Sequence, residues 1–201
     1  LAPSVRARLL LKLADAIEAN VDELALLETL DNGMPLMLAR FGSVLGAAES
    51  LRYHAGWATK LNGETVALSA PGESLAYTLR EPVGVVGQIV PWNLPFVMGV
   101  SKIAAAIAAG CTVVLKPAEQ TPLTTIRLGE LIQEVGFPPG VINVTCGTDI
   151  PASEALVSSP FVDMVSFTGS TGVGQRIGAV AGGQMKRLLL ELGGKGAAVV
   201  F

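Results

Sequence analysis

Cysteine and histidine are almost missing from this chain. Cys111, Cys146 and His54 are the whole complement, too few for a disulfide framework or a Cys/His zinc site, so no metal is expected. Charge is scarce too: 15% of residues, 14 basic against 17 acidic, with no run of one sign and a net of −3. That balance argues against a nucleic-acid partner and against a polybasic membrane patch. Apolar stretches are broken by Gly, Pro, Lys or Asn before reaching the roughly 18 residues of a membrane span. The chain opens on a charged, helix-like segment instead of a signal peptide. A reducing, cytoplasmic setting is the expectation, with the reservation that a targeting signal could precede Leu1.

What is abundant is apolar. Half the residues are hydrophobic, interspersed with 23 glycines and 12 prolines, which excludes disorder, a collagen repeat and a coiled coil. A length of 201 residues accommodates one or two domains with a sizeable core. The chain stops at Phe201 inside the apolar run from Gly196, with no turn after it, and is expected to be a piece of something longer.

Residues 1–62 read as helical. Val5, Leu9, Leu13 and Ile17 recur at helical spacing, with Ser4 placed as N-cap. Asn20 and Glu23 resemble a capping box that opens a second helix, closed by Asp31, Asn32 and Gly33. A third helix is expected from about Pro35 to Lys60. Residues 63–82 read as a hairpin, Thr65 to Leu68 against Leu75 to Leu79 around Ala70-Pro71-Gly72.

From residue 83 to 201 short apolar runs alternate with helical stretches. Strands are expected at Val83–Val90, Thr112–Lys116, Val141–Thr145, Met164–Thr168 and Leu188–Leu192, with helices near Phe96–Ala109, Thr121–Glu134 and Val173–Ala181. Strands apolar on both faces and joined by helices require a parallel sheet covered on each side. The fold class is therefore α/β, a Rossmann-like doubly wound sheet with N-terminal helices and a protruding hairpin. Such sheets bind ligands beyond the carboxyl ends of their strands.

Five loops follow those strands: Pro91-Trp92-Asn93, Lys116-Pro117-Ala118-Glu119, Cys146-Gly147, Thr168-Gly169-Ser170 and Glu191-Leu192-Gly193-Gly194. Polar groups or glycine directly after apolar strands form the arrangement of a nucleotide or dinucleotide site. The run from Thr168 to Gly174 enters a helix, whose start can receive a phosphate. Its spacing is not G-x-G-x-x-G, and it reads equally as a tight turn. A carboxylate at Glu119, beside Lys116, can accept both ribose hydroxyls and repel a 2′-phosphate, favouring NAD over NADP; the same pair fits a solvated corner around Pro117. Glu191 has the setting of a general base if desolvation raises its pKa, or of an exposed strand end if not. Asn93 can donate its amide to a developing oxyanion, or simply make a turn. Trp57 and Phe96 could touch a substrate, although large apolar residues at helical spacing are the usual material of a core.

The segments Pro91-Trp92-Asn93, Lys116 to Pro122 (KPAEQTP), Gly136 to Val144 (GFPPGVINV), Phe167 to Ser170 (FTGS) and Leu190 to Lys195 (LELGGK) occur in an order and spacing that resemble the NAD(P)-dependent aldehyde dehydrogenase superfamily. The resemblance spans nearly the whole chain. It implies that Asn93, with the backbone N–H of a nucleophilic cysteine, stabilises an oxyanion, that Glu191 is the general base, and that Lys102 lies near the proton path. It further implies that Lys116 and Glu119 hold the adenosine ribose, that Ser170 and the helix start meet the pyrophosphate, that Ile89, Trp92, Gly169 and Val173 line the trough, and that Leu192 and Gly193 reach the nicotinamide. The implied reaction is oxidation of a small-molecule aldehyde to a carboxylic acid with NAD through a thiohemiacetal and a thioester. A relative that passes the thioester to coenzyme A fits less well with Glu191 in place.

Some positions depart from the family pattern. Asp149 and Ser153 stand where glycine is common near the adenine, and Gly196 where serine is common. The nucleophilic cysteine belongs to a segment after the glutamate strand, and neither Cys111 nor Cys146 matches it. The alternative is a non-catalytic nucleotide-binding fragment. The hairpin corresponds to part of the family's oligomerisation element, so a homodimer or homotetramer is expected.

Overall fold

A computed structural model describes residues 1–147 and 150–200. Helix α1 (Pro3–Ala19) buries Leu10, Leu13, Ala14 and Ile17, so Leu13 and Ile17 of the expected stripe are in the core while Val5 and Leu9 are only half-buried. Its N-cap position falls on Ala2, with Pro3 in the first turn, where a missing N–H costs nothing. Ser4 thus lies inside the helix and caps nothing. Asn20 alone separates α1 from α2 (Val21–Asn32), and its side chain donates to the Ala16 carbonyl at 2.8 Å. It therefore finishes the first helix and makes no side-chain cap for the second. The expected capping box does not form, and Glu23 instead pairs with Arg127 at 3.0 Å.

Helix α2 ends on Gly33, whose φ of +78° is the left-handed stop that favours glycine. The expected third helix is continuous but irregular: α3 (Leu36–Leu38), a π-helical segment (Ala39–Val44) and α4 (Leu45–Trp57). The π segment buries Ser43 beside Glu28 of α2, a carboxylate with no exposed surface. Neither Glu28 oxygen completes a hydrogen bond to a neighbour. Burial pushes this carboxyl up, opposed by the adjacent Ser43 hydroxyl and Phe96 N–H, so depth favours its neutral acid form.

The hairpin is shorter than its sequence suggests, with β1 (Thr65–Val66) and β2 (Ala76–Tyr77) pairing antiparallel through Thr65↔Tyr77 and Val66↔Ala76. The main sheet is parallel throughout, in the order β5-β4-β3-β6-β7. Its strands are β3 (Val85–Ile89), β4 (Thr112–Lys116), β5 (Ile142–Val144), β6 (Met164–Gly169) and β7 (Arg187–Leu192). Between them run α5 (Pro95–Ala108), α6 (Leu123–Val135), α7 (Ile150–Ser158) and α8 (Thr171–Gly183).

Alternation along the strands divides the core. Val86, Val113 and Leu115 face α5, α6 and the N-terminal helices, in one cluster with Leu13, Leu51, Phe96 and Ile103. Ile89, Val165 and Phe167 face α7 and α8 with Leu156 and Ile177. Each large side chain so buried contributes about 1.5–3 kcal/mol. Phe96 has no exposed surface, so it is core and cannot reach a substrate. Trp57, at the end of α4, is 45% exposed and stacks edge-on with Tyr53.

Helix α7 has no counterpart among the helices expected from the sequence. Pro151 lies in its first turn, where proline is tolerated, and only Leu156 and Val157 bury, too few to show a periodic face.

Candidate functional site

Strands β3 and β6 are neighbours at the centre of the sheet, yet the chain leaves β3 for α5 on one face and β6 for α8 on the other. Where crossovers part in this way, a crevice opens beyond the carboxyl ends of the strands. Two hollows occupy that crevice. The first, about 650 Å³, has an apolar floor that includes Ile89, Val157, Phe167, Val173 and Ile177, and a rim that includes Lys116, Glu119, Ser153, Glu154 and Arg176. The second, about 760 Å³, is lined by residues that include Trp92, Asn93, Lys102, Thr168, Gly169, Ser170, Glu191, Leu192 and Gly193.

The twelve site residues singled out from the sequence all line these hollows. Ile89, Lys116, Glu119 and Val173 fall in the first, while Asn93, Lys102, Glu191, Trp92, Gly169, Ser170, Leu192 and Gly193 fall in the second. Their positions follow from the strands. Lys116 ends β4 almost fully buried, its ammonium donating to the Pro117 carbonyl at 3.3 Å, whereas Glu119 beyond it is exposed. The sequence left a solvated Lys–Glu pair open, and the structure removes Lys116 from it.

Ser170 is the N-cap of α8, its hydroxyl accepting from the Val173 N–H at 3.4 Å. The start of this helix carries partial positive charge between the two hollows. Close packing holds it there. A Cβ on Gly174 would fall 2.3 Å from a Leu192 methyl, and one on Gly169 2.5 Å from the Phe167 ring.

Asn93 sits just before α5, exposed into the second hollow, with Pro95 in the first turn of that helix. About two turns into that helix, Lys102 reaches into the same hollow and donates from Nζ to Ser166 Oγ at 2.6 Å. Burial pushes the Lys102 ammonium down in pKa, and the negative charge of Glu191 opposes that shift. Glu191 comes from β7 opposite Thr168 of β6. Of the two settings that the sequence leaves open for Glu191, the structure shows the exposed strand end. Among the described residues β7 pairs only with β6, and its Leu189 is 45% exposed.

Neither cysteine enters the second hollow. Cys111 is buried ahead of β4, and Cys146 is exposed after β5. Partial desolvation pushes the Cys146 thiol up, against the charge of Lys116. Asp149 lies outside the described residues, while Ser153 is on α7 at the rim of the first hollow.

Apart from Val173 and Ser153, sequence reasoning missed the α7 and α8 walls of the first hollow, including Val157, Arg176 and Ile177. The Arg176 guanidinium pairs there with the Glu154 carboxylate. Also missed were Gln88 and Ser166, both buried beneath Lys102. The available signal was a polar residue inside each of two mainly apolar strands.

Comparison with known proteins adds the last observation. The family model described as the aldehyde dehydrogenase family matches residues 1–201. The phenylacetaldehyde dehydrogenase of Pseudomonas fluorescens is 54% identical over 203 residues, covering 99% of this chain and 40% of that protein. Human retinal dehydrogenase 2 is 47% identical over 199 residues, covering 98% of this chain and 38% of its own length. Among solved structures, the NAD+ complex of an aldehyde dehydrogenase from Bacillus cereus superposes with a TM-score of 0.93 at 48% identity, over 97% of this chain and 39% of that one. The chain thus spans about two fifths of the length of the relatives it matches.

Proposed function

The chain belongs to the aldehyde dehydrogenase family, and from that premise we propose that it supplies the cofactor site, an oxyanion donor and the general base of an enzyme that oxidises an aldehyde to a carboxylic acid with NAD. The observation that carries this reading is convergence. Asn93 from a loop, Lys102 from α5 and Glu191 from β7 line one hollow, next to an apolar slot rimmed by Lys116 and Glu119.

The residues fit a dinucleotide. The slot between α7 and α8 suits a flat heterocycle, the start of α8 a pyrophosphate, and the second hollow the reacting end. Gly169 and Gly174 leave the strand end and the helix start as close to their neighbours as backbone can approach. Bound NAD supplies the hydride acceptor.

The chain's own groups do the rest. Lys116 and Glu119 hold the ribose hydroxyls, and the Glu119 carboxylate repels a 2′-phosphate. The Asn93 amide donates to the aldehyde oxygen as charge builds on it. Glu191 takes a proton from the hydrolytic water, with Lys102 lining the same hollow. The attacking thiolate is neither Cys111 nor Cys146, since both lie outside the second hollow, and in this reading it comes from elsewhere in the complete protein.

The test is to incubate the complete protein with NAD and a panel of aliphatic and aromatic aldehydes, following NADH and acid together. One acid per NADH is expected, with NAD preferred over NADP. Dinucleotide binding without NADH formation from any aldehyde would leave a binding module instead.

Assembly is part of the same proposal. The hairpin exposes Leu75 at 77%, Tyr77 at 62% and Leu79 at 71%, and two-residue strands are not stable alone in water. It is therefore assigned to pairing between copies in a homodimer or homotetramer. Light scattering on the complete protein checks this, and a monodisperse monomer would overturn it. A cytoplasmic location is in keeping with the two free cysteines, and cell fractionation decides it.

A further inference from the structure

Gln88 and Ser166 interrupt two apolar strands at the same level. They are register partners on β3 and β6, exposed by only 2% and 3%. A polar side chain at that depth is costly unless it is hydrogen-bonded, and what both bond is a single residue of α5. Gln88 Nε2 donates to the Lys102 carbonyl at 2.9 Å, and Lys102 Nζ donates to Ser166 Oγ at 2.6 Å. The lysine is held at its backbone and at its tip from adjacent strands.

We propose that Gln88 and Ser166 are positioning residues that clamp Lys102, with Ser166 fixing the ammonium where it faces Glu191. The clamp rests on the function proposed for the second hollow only for its consequence to the reaction, and its geometry stands by itself.

The choice of a hydroxyl has a chemical meaning. Serine can accept from an ammonium and donate to a free amine, so Ser166 holds the Lys102 nitrogen in either protonation state. An alanine there would leave the ammonium less stabilised in a site that already disfavours charge. Among the described residues, Glu191 of β7 is the charge that acts on Lys102. Arg6 of α1 bonds the Ala108 carbonyl at the far end of α5, and Glu28 of α2 lies beside the Phe96 N–H near its start. Arg52 and Glu49 of α4 belong to an ion-pair cluster with Asp15 and Glu18. Arg127 of α6 pairs with Glu23, Glu130 and Glu134, and Lys116 of β4 bonds the Pro117 carbonyl.

The experiment compares wild type, Ser166→Ala and Ser166→Thr in the complete protein by two readouts. Competitive acetylation with acetic anhydride across pH, quantified at Lys102 by mass spectrometry, gives the labelling pKa of that amine without any need for turnover. It should fall by about one unit in Ser166→Ala, the loss of a hydrogen bond to a charged group, and return to the wild-type value in Ser166→Thr. The alkaline limb of kcat against pH should move down by the same amount in Ser166→Ala, with KM for NAD unchanged. If Ser166→Ala does not fold, Ser166→Cys, a weak acceptor, should give the same downward direction. An identical Lys102 labelling pKa in wild type and in the hydroxyl-free variant would overturn the clamp. A shifted labelling pKa in a protein that oxidises no aldehyde would uphold the clamp and refute the aldehyde reading of the hollow.

Discussion

Replacing Glu191 by Gln in the complete protein is expected to lower kcat for acid formation by about 10²–10⁴-fold, the range of a positioned general base, while NAD binding stays near its wild-type value. The carboxylate extends from β7 into the second hollow, and glutamine has the same shape as glutamate, so the substitution removes a proton acceptor without opening a cavity. Folding should therefore survive. The loss should fall on the hydrolytic step: any rapid first turnover of NADH should persist while steady-state acid release slows. Acid formation at the wild-type rate would remove Glu191 as the base.

Replacing Asn93 by Ala should cost about 10²–10³-fold in kcat, equivalent to about 2.7–4 kcal/mol, as expected for one preorganised donor to a developing oxyanion. Asn93 lies between Trp92 and Leu94, just ahead of the proline that starts α5, and the turn does not depend on its side chain for a cap. The effect should appear in kcat and kcat/KM alike, because the donor matters most once negative charge has formed. Pre-steady-state kinetics separate the two substitutions. Asn93→Ala should slow the first turnover, whereas Glu191→Gln should slow those that follow. Equal first-turnover rates in Asn93→Ala and wild type would remove the oxyanion role.

The parts of the fold visible in the sequence are those governed by periodicity. The sheet strands could be recognised because parallel strands covered on both faces read as unbroken apolar runs, and their loops carried the polar residues that now line the two hollows. What escaped was decided by local competition or by tertiary contact. Asn20 had to serve two helices at once and bonded back to the Ala16 carbonyl. Helix α7 begins around Pro151 and has too few apolar residues to show a face. Glu191 is exposed on a strand that, among the described residues, pairs only with β6, and chain order alone does not state which strands are neighbours. The roles of Gln88 and Ser166 were not legible, since nothing local connects residues on β3 and β6 with a lysine on the helix that packs over one face of the sheet.

The strand order β5-β4-β3-β6-β7 also sets a schedule for synthesis on the ribosome. The central strand, β3, is the first of the main sheet to emerge, and β4 can join one side of it as soon as α5 has been made. Its other side waits for β6. Translation at about 5–20 residues per second needs of the order of 4–15 s to travel from Ile89 to Met164. Throughout that interval the β3 edge destined for β6 has no partner from its own chain, and the face carrying Ile89 lacks the Phe167 and Ile177 that will cover it. The nascent chain therefore passes through a stage in which its central strand is half-paired, and that stage is where chaperone engagement and misassembly between neighbouring chains should concentrate.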